Sequence, residues 1–351
     1  MKKKILFVKS LNSTFIIKDE KILRKHFYVE SFLFKPGSAL RLATSQFQLL
    51  FWLMFNIPKA HLVYIWFADY HSILPIVMAK VFLKKSAIVL GGMDAIKIPE
   101  VNQGVYLRPF RGLCAALSIR FCDLLIPCDE SLIETVNSYA KQEPFVAGVK
   151  HLVKYFRTPY IVIPFGFDSK KWKPGTRHRE KLALTVAVIK NMNKLRLKGI
   201  DLFMEVASRL PHYKFMIIGA SGWATDFINE NKSENVTVTG PVNNDELVEH
   251  YQRAKVYVQL SLSEGLPNVL CEAMLCGCVP VGSDVNGIPT AIGDAGFIVK
   301  KRDLKLAVAA VKAAMESEPG LSQAARERMV QHFRLDQREQ KLITAIHELI
   351  K

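Results

Sequence analysis

The chain contains no DxD pair, no CxxC pair, no low-complexity tract and no apolar run near the length of a membrane span. Without DxD, a common acidic pair for holding a divalent cation is missing, and no metal is expected. Cys114, Cys122, Cys128, Cys271, Cys276 and Cys278 lie inside apolar segments. They are expected to be buried, reduced thiols of a cytoplasmic protein, forming neither a disulfide frame nor a zinc site. The longest apolar run, around LLFWLMFNI, is about nine residues, whereas a bilayer span needs roughly 20. The start, MKKKILFVKS, is basic, but its apolar run breaks at Lys9 and is too short for a secretory signal.

What is present is a folded α/β chain. Its 351 residues are 50% hydrophobic, enough for two domains that each bury a core. Apolar runs predict strands at 5–8, 27–34, 61–67 and 86–91, with helices at 39–56 and 71–84 between them. DLLIPC, a helix over 129–140 and a strand over YIVIP (160–164) continue the alternation. A Lys-, Pro- and Gly-rich linker covers 166–175, and a second series follows, with strands at 183–189, 214–218, 236–239 and 255–260 and helices at 199–210, 222–231 and 244–254. Such repetition predicts parallel sheets covered by helices on both faces. The expected division is an N-terminal domain over 1–170, a C-terminal domain over 178–335 and a last helix over 336–351.

The most informative stretch is SEGLPNVLCEAMLCGCVP, residues 263–280. A polar turn opens on Glu264 and leads into a helix expected to run to Gly277. Gly265 permits close backbone approach to a ligand, and Pro267 suits the first helical position. Free N–H groups at 266–269 would then face outward, where the helix dipole favours an anion such as a phosphate. Glu264 and Glu272, beside that seat, would oppose an anion and are better suited to accept hydrogen bonds from sugar hydroxyls. Taken singly, each glutamate could be an ordinary turn or helix-surface residue.

In its βαβ setting this stretch closely resembles the donor-binding signature of the family-four retaining glycosyltransferases. That family has the GT-B fold, two Rossmann-like domains facing across a cleft. IPFGFDSKKWKP, KGIDLFMEVASRLPHYKFMIIGA and VTVTGPVNNDELVEHYQRAKVYVQLSLSEGLPN extend the similarity through the second half. The resemblance implies a UDP- or GDP-sugar donor, no cofactor, no metal and retention of anomeric configuration. It gives Glu272 the ribose hydroxyls and Glu264 the hydroxyls of the transferred sugar, with the backbone of Gly265, Leu266, Pro267, Asn268 and Val269 nearby. Lys198 matches the family's diphosphate-binding lysine. The Arg that usually precedes it is replaced within KNMNKLRLKG by Lys190, Lys194 or Arg196, of which Lys190 is favoured. Gly219 and Ser221, in the βα turn GASG, are expected to line the nucleotide pocket.

Two family features are missing from the first half. VKSLNSTFIIKDE replaces a glycine-rich loop, and VLGGMDA has Gly91 or Gly92 where a histidine is common. Asp94 is retained, and His71 is a further catalytic candidate. A nucleotide-sugar epimerase or hydrolase on the same scaffold is the alternative, although no acid/base pair is evident for it. The net charge of +16 raises nucleic-acid binding, but the cations are scattered and no recognised module appears. Residues 1–176 hold 25 Lys plus Arg against 12 Asp plus Glu, and residues 177–351 hold 23 against 20. A basic first domain carrying FQLLFWLMF predicts a lipid-linked or otherwise anionic acceptor and peripheral attachment to the inner face of the cell membrane.

Overall fold

The computed structural model describes residues 2–140 and 144–351. Five parallel strands form one sheet in the order Tyr28–Leu33, Lys4–Lys9, Leu62–Trp66, Lys85–Leu90 and Leu124–Pro127. Six more form a second parallel sheet in the order Val236–Thr239, Lys214–Ala220, Glu180–Ile189, Ala254–Gln259, Val279–Ser283 and Phe297–Val299. Ile5, Leu6, Phe7 and Val8 are all fully buried, because helices cover both faces of the sheet and leave no strand side for water.

In the first domain, helix Tyr70–Val81 packs between helices Ala39–Asn56 and Pro109–Phe121. The last of these lies outside the predicted alternation. The C-terminal helix, Leu335–Leu349, packs against helix Thr14–His26. Arg338 makes that contact specific. It donates to both carboxylate oxygens of Asp19, at 2.7 and 2.6 Å, and to the carbonyls of Ile163 and Pro164. Tyr64 Oη and Trp66 Nε1 also donate to Asp19. The pair is out of water yet fully hydrogen-bonded, which is the condition under which two buried charges can be tolerated.

Four expectations need correction. Residues 129–140 do not form a helix. Asp129 caps a single turn over Glu130–Leu132, and Thr135–Asn137 pairs antiparallel with Phe145–Ala147. Asn137 explains the break, since its side-chain oxygen accepts the N–H groups of Tyr139 and Ala140 and holds a turn. Residues 141–143 of this segment lie outside the described residues. YIVIP runs beside Leu124–Pro127, with Ile161 and Ile163 donating to Leu125 and Pro127, but forms only an isolated bridge at Tyr160. Pro159 and Pro164 bracket it and can donate nothing to a ladder. Helix 71–84 ends at Val81, where Leu83 turns to a φ of +51°. The signature helix spans Asn268–Leu275, with Pro267 as the residue before the helix and not its first member.

Arg338→Met would leave the Asp19 carboxylate buried without its cation. A loss of about 3–5 kcal/mol in unfolding free energy is expected, measured by denaturant titration, and a loss below about 1 kcal/mol would contradict this role.

Candidate functional site

The two sheets bring their carboxyl ends to one place, as open α/β sheets do where they bind ligands. From the second domain comes the turn after strand Ala254–Gln259, which carries Glu264. Glu264 Oε1 accepts from Lys198 Nζ at 2.6 Å, Ser261 Oγ at 2.7 Å and Gln259 Nε2 at 3.1 Å. Its backbone N–H donates to Asn286 Oδ1 at 3.2 Å. Lys198 reaches it because Gly199 turns the chain at a φ of +68° against strand 254–259. A methyl group on Gly199 would lie 2.1 Å from the Leu260 carbonyl oxygen, so only glycine allows that approach.

The first domain presses on the same turn. A methyl group on Gly265 would sit 2.3 Å from the carbonyl oxygen of Gly91, and one on Gly92 would sit 3.1 Å from the amide nitrogen of Gly265. Asn137 Nδ2 donates to Leu262 O at 3.0 Å. Lys194 Nζ crosses between the domains to donate to Gln103 Oε1 at 2.7 Å. Burial, followed by the charges of Lys198 and Lys190, pushes the Lys194 ammonium's pKa down.

The anion seat is narrower than the sequence indicates. Leu266 lies beside the Cys128 thiol of the first domain, and Pro267 has no N–H. The amides of Asn268, Val269 and Leu270 remain without a partner among the described residues. Asn268 Oδ1 is buried there without a hydrogen bond. One turn further on, Glu272 is 8% exposed. Burial pushes its carboxyl up to about 7, only partly offset by the charges of Lys18 and Lys171. Its carboxylate carries no hydrogen bond among the described residues, so it is a buried acceptor with unused capacity.

Other expected site residues are placed less directly. Lys190 is exposed beyond strand Glu180–Ile189, and Ile189 pairs with Ala220, which sets Lys190 near the exposed Ser221. Gly219, at a φ of +102°, lies against the Ala187 carbonyl, so strand packing accounts for that glycine. Arg196 is exposed and borders a crevice with Asp201 and Arg302. In the first domain, Asp94 is fully buried and accepts the N–H groups of Ala68, Gly91 and Gly92. Desolvation pushes its carboxyl up to about 6 despite those donors. His71 Nε2 donates to the Trp66 carbonyl at 2.8 Å, and burial lowers its pKa. Asp94 and His71 both border a largely apolar cavity of about 430 Å³, with Leu11, Phe34, Tyr70 and Arg111. Asp94 fixes the Gly91–Gly92 turn, and His71 is packed as a neutral ring against Phe34.

Several participants lie outside the sequence-derived set. Ser261 and Gln259 precede Glu264 by three and five residues in QLSLSEG, and a buried polar run ending a strand is the signal that could have found them. Asn286, held at a φ of +46°, sits in the turn-forming dipeptide NG. Lys18, 254 residues upstream of Glu272 and in the other domain, had no sequence signal toward that glutamate.

Comparison with known proteins adds the lineage of this arrangement. Residues 183–317 match the family model described as glycosyl transferases group 1. The chain is similar to D-inositol 3-phosphate glycosyltransferase of Geodermatophilus obscurus, 29% identical over 190 residues that cover 47% of this chain and 42% of that protein. It is also similar to the phosphatidylinositol N-acetylglucosaminyltransferase gpi3 subunit of Schizosaccharomyces pombe, 28% identical over 37% of this chain and 30% of that protein. The chain thus spans less than half the length of these curated relatives. Among solved structures, sucrose-phosphate synthase from Thermosynechococcus elongatus superposes over 99% of both chains at a TM-score of 0.77 and 14% identity. Anabaena HepE in complex with UDP and glucose does so over 99% of this chain and 100% of that one, at 0.71 and 15% identity. These likenesses show the GT-B fold.

Proposed function

We propose that the protein, whose residues 183–317 match the group 1 glycosyl transferase model, moves a sugar from a nucleotide diphosphate sugar, UDP- or GDP-linked, to an acceptor held by the first domain. The observation that carries the proposal is the convergence of Lys198, Glu264, the open amides of Asn268–Leu270 and the unpartnered carboxylate of Glu272 on one wall. A diphosphate needs positive potential as its glycosidic bond breaks, because charge develops on the leaving oxygen. Lys198 and the helix amides supply it without a cation. Glu264, held from three sides, accepts a hydroxyl of the transferred sugar, and Glu272 accepts the ribose hydroxyls. Both roles are orientational.

Retention follows if the acceptor hydroxyl attacks from the face the phosphate leaves. The new bond joins acceptor oxygen to anomeric carbon, the carbon–phosphate-oxygen bond breaks, and the acceptor proton passes to the departing phosphate oxygen. Lys198, Ser261 and Gln259 all bond to Oε1 of Glu264, which fixes the carboxylate and leaves Oε2 to accept the sugar hydroxyl. The acceptor occupies the cavity beside Asp94, His71 and Arg111. Its largely apolar walls suit an acceptor with an apolar portion, while Arg111 there is held by Asp69.

Glu272→Ala should weaken binding of the favoured nucleotide sugar by about 1–3 kcal/mol, the cost of stranding its hydroxyl partners. Because the folded-state pKa of Glu272 is raised, its ionised form is favoured only above about 7. A carboxyl of that pKa goes from roughly one-tenth ionised at pH 6 to roughly nine-tenths at pH 8. Binding to wild type should therefore strengthen over that interval, and Glu272→Gln should flatten the trend. Calorimetric titration checks both, and unchanged affinity in a folded Glu272→Ala variant would refute the assignment. Sugar transfer should also persist in excess chelator. Turnover lost to chelator and restored by magnesium or manganese would refute metal independence.

A further inference from the structure

The outer layer of the first domain is an unusual surface. Helices Ala39–Asn56, Tyr70–Val81 and Pro109–Phe121 contain no Asp or Glu. A solvated helical layer ordinarily carries charges of both signs. Here, beside Arg41, Thr44, Gln48, Lys80 and Arg120, many water-facing positions are aromatic or aliphatic. On the first helix, Phe47, Phe51 and Phe55 follow one another at four-residue spacing and are 63%, 48% and 72% exposed. Their rings follow one another along the helix in tilted contact, at 5.1 and 6.4 Å between centroids, so they form one continuous ridge. Met54 extends it. The neighbouring helix exposes Val77 and Val81 and is followed by a turn carrying Leu83, 92% exposed at a φ of +51°. The third helix exposes Phe110, Leu113 and Phe121.

Cations edge this apolar ground. Arg41 and Lys59 flank the phenylalanine ridge, Lys84 and Lys85 follow Leu83, and Arg120 lies over the rings of Phe121 and Tyr155 at 5.5 and 5.3 Å. The acids nearby are already committed: Asp69 pairs with Arg111, and Asp123 pairs with Lys80 at 2.6 Å. An apolar patch of this extent marks an interaction site. A protein partner would be expected to meet it with a matched groove, whereas protruding rings and aliphatic tips ringed by uncompensated positive charge complement lipid chains below anionic headgroups.

We propose that this three-helix face docks onto an anionic membrane surface, with Phe47, Phe51, Phe55 and Leu83 entering the interfacial layer and Lys84, Lys85, Arg41 and Lys59 holding headgroups. No helix among the described residues is long and apolar enough to cross a membrane, so the attachment is peripheral and salt-sensitive. The acceptor cavity adjoins this face. Gln46, on the ridge helix, donates to the carbonyl of Tyr70, a residue of the cavity wall, at 2.7 Å. An acceptor anchored in the leaflet could thus enter the site without leaving the membrane. Docking itself depends only on the surface and stands apart from the donor assignment.

Vesicle co-sedimentation at low salt tests it, using phosphatidylcholine vesicles with and without phosphatidylglycerol. Wild type should bind the anionic vesicles and be released by salt. The triple variant Phe47→Ser, Phe51→Ser, Phe55→Ser, and separately Lys84→Glu with Lys85→Glu, should each lower the bound fraction roughly tenfold or more. Thermal stabilisation by nucleotide sugar should be retained in both variants, which separates a failed docking face from a failed donor site. Equal partition onto neutral and anionic vesicles would overturn the proposal, as would binding to neither. Light scattering that shows a dimer of wild type converted to monomer by the phenylalanine substitutions would assign the face to a second copy of the chain and overturn it likewise.

Discussion

Lys198 and Glu264 are 2.6 Å apart, and among the described residues the glutamate's carboxylate is otherwise bonded to Ser261 and Gln259 on its own strand end. Either charge alone in this half-buried wall would be poorly solvated, and together they hold each other where a donor must arrive. A diphosphate offers Lys198 a stronger anionic partner, and a sugar hydroxyl offers Glu264 a neutral donor in its place. Donor binding thus exchanges one set of charge-assisted bonds for another, and no bare charge is created. The rest of the domain serves that exchange: Gly199 brings the lysine in, Asn286 fixes the Glu264 amide, and the helix from Asn268 presents unpaired N–H groups beside them.

The first domain is built to reach the same point. Asp94 spends its buried carboxylate on the turn of Gly91 and Gly92, and that turn lies against Gly265 with no room for a side chain. Asn137 and Lys194 add hydrogen bonds across the boundary. The return of helix Leu335–Leu349 to Asp19 through Arg338 ties the chain's end to the sheet that carries these loops. Position across the cleft is therefore set by backbone contact and a few polar bonds, which a ligand between the domains could rearrange.

Much of this was legible in the sequence because hydrophobic runs flanked by Gly and Pro report buried parallel strands directly. Glu264, Glu272 and Lys198 were singled out through the signature's spacing and its resemblance to a known family, while the helix begins one residue later than expected, at Asn268. What was not legible arose from tertiary contacts. Asn137 ends an apparent helix by bonding its own backbone while reaching Leu262, a residue of the other domain. Cys128 of the first domain comes up against the signature turn at Gly265 and Leu266. YIVIP has the composition of a strand, yet its bracketing prolines leave it only partly paired. Composition told that the first domain is basic, and only the fold revealed that its phenylalanines line up on the outside.

The central claim is that Lys198 supplies positive charge to a diphosphate. Calorimetric titration of wild type and Lys198→Met with a nucleoside diphosphate and with the matching nucleoside tests it most directly. The account predicts that the substitution weakens the diphosphate by about 1.5–3 kcal/mol, the range for a hydrogen bond to a charged group, and leaves the nucleoside unchanged. Equal loss for both ligands, or undiminished diphosphate binding in the folded variant, would contradict it.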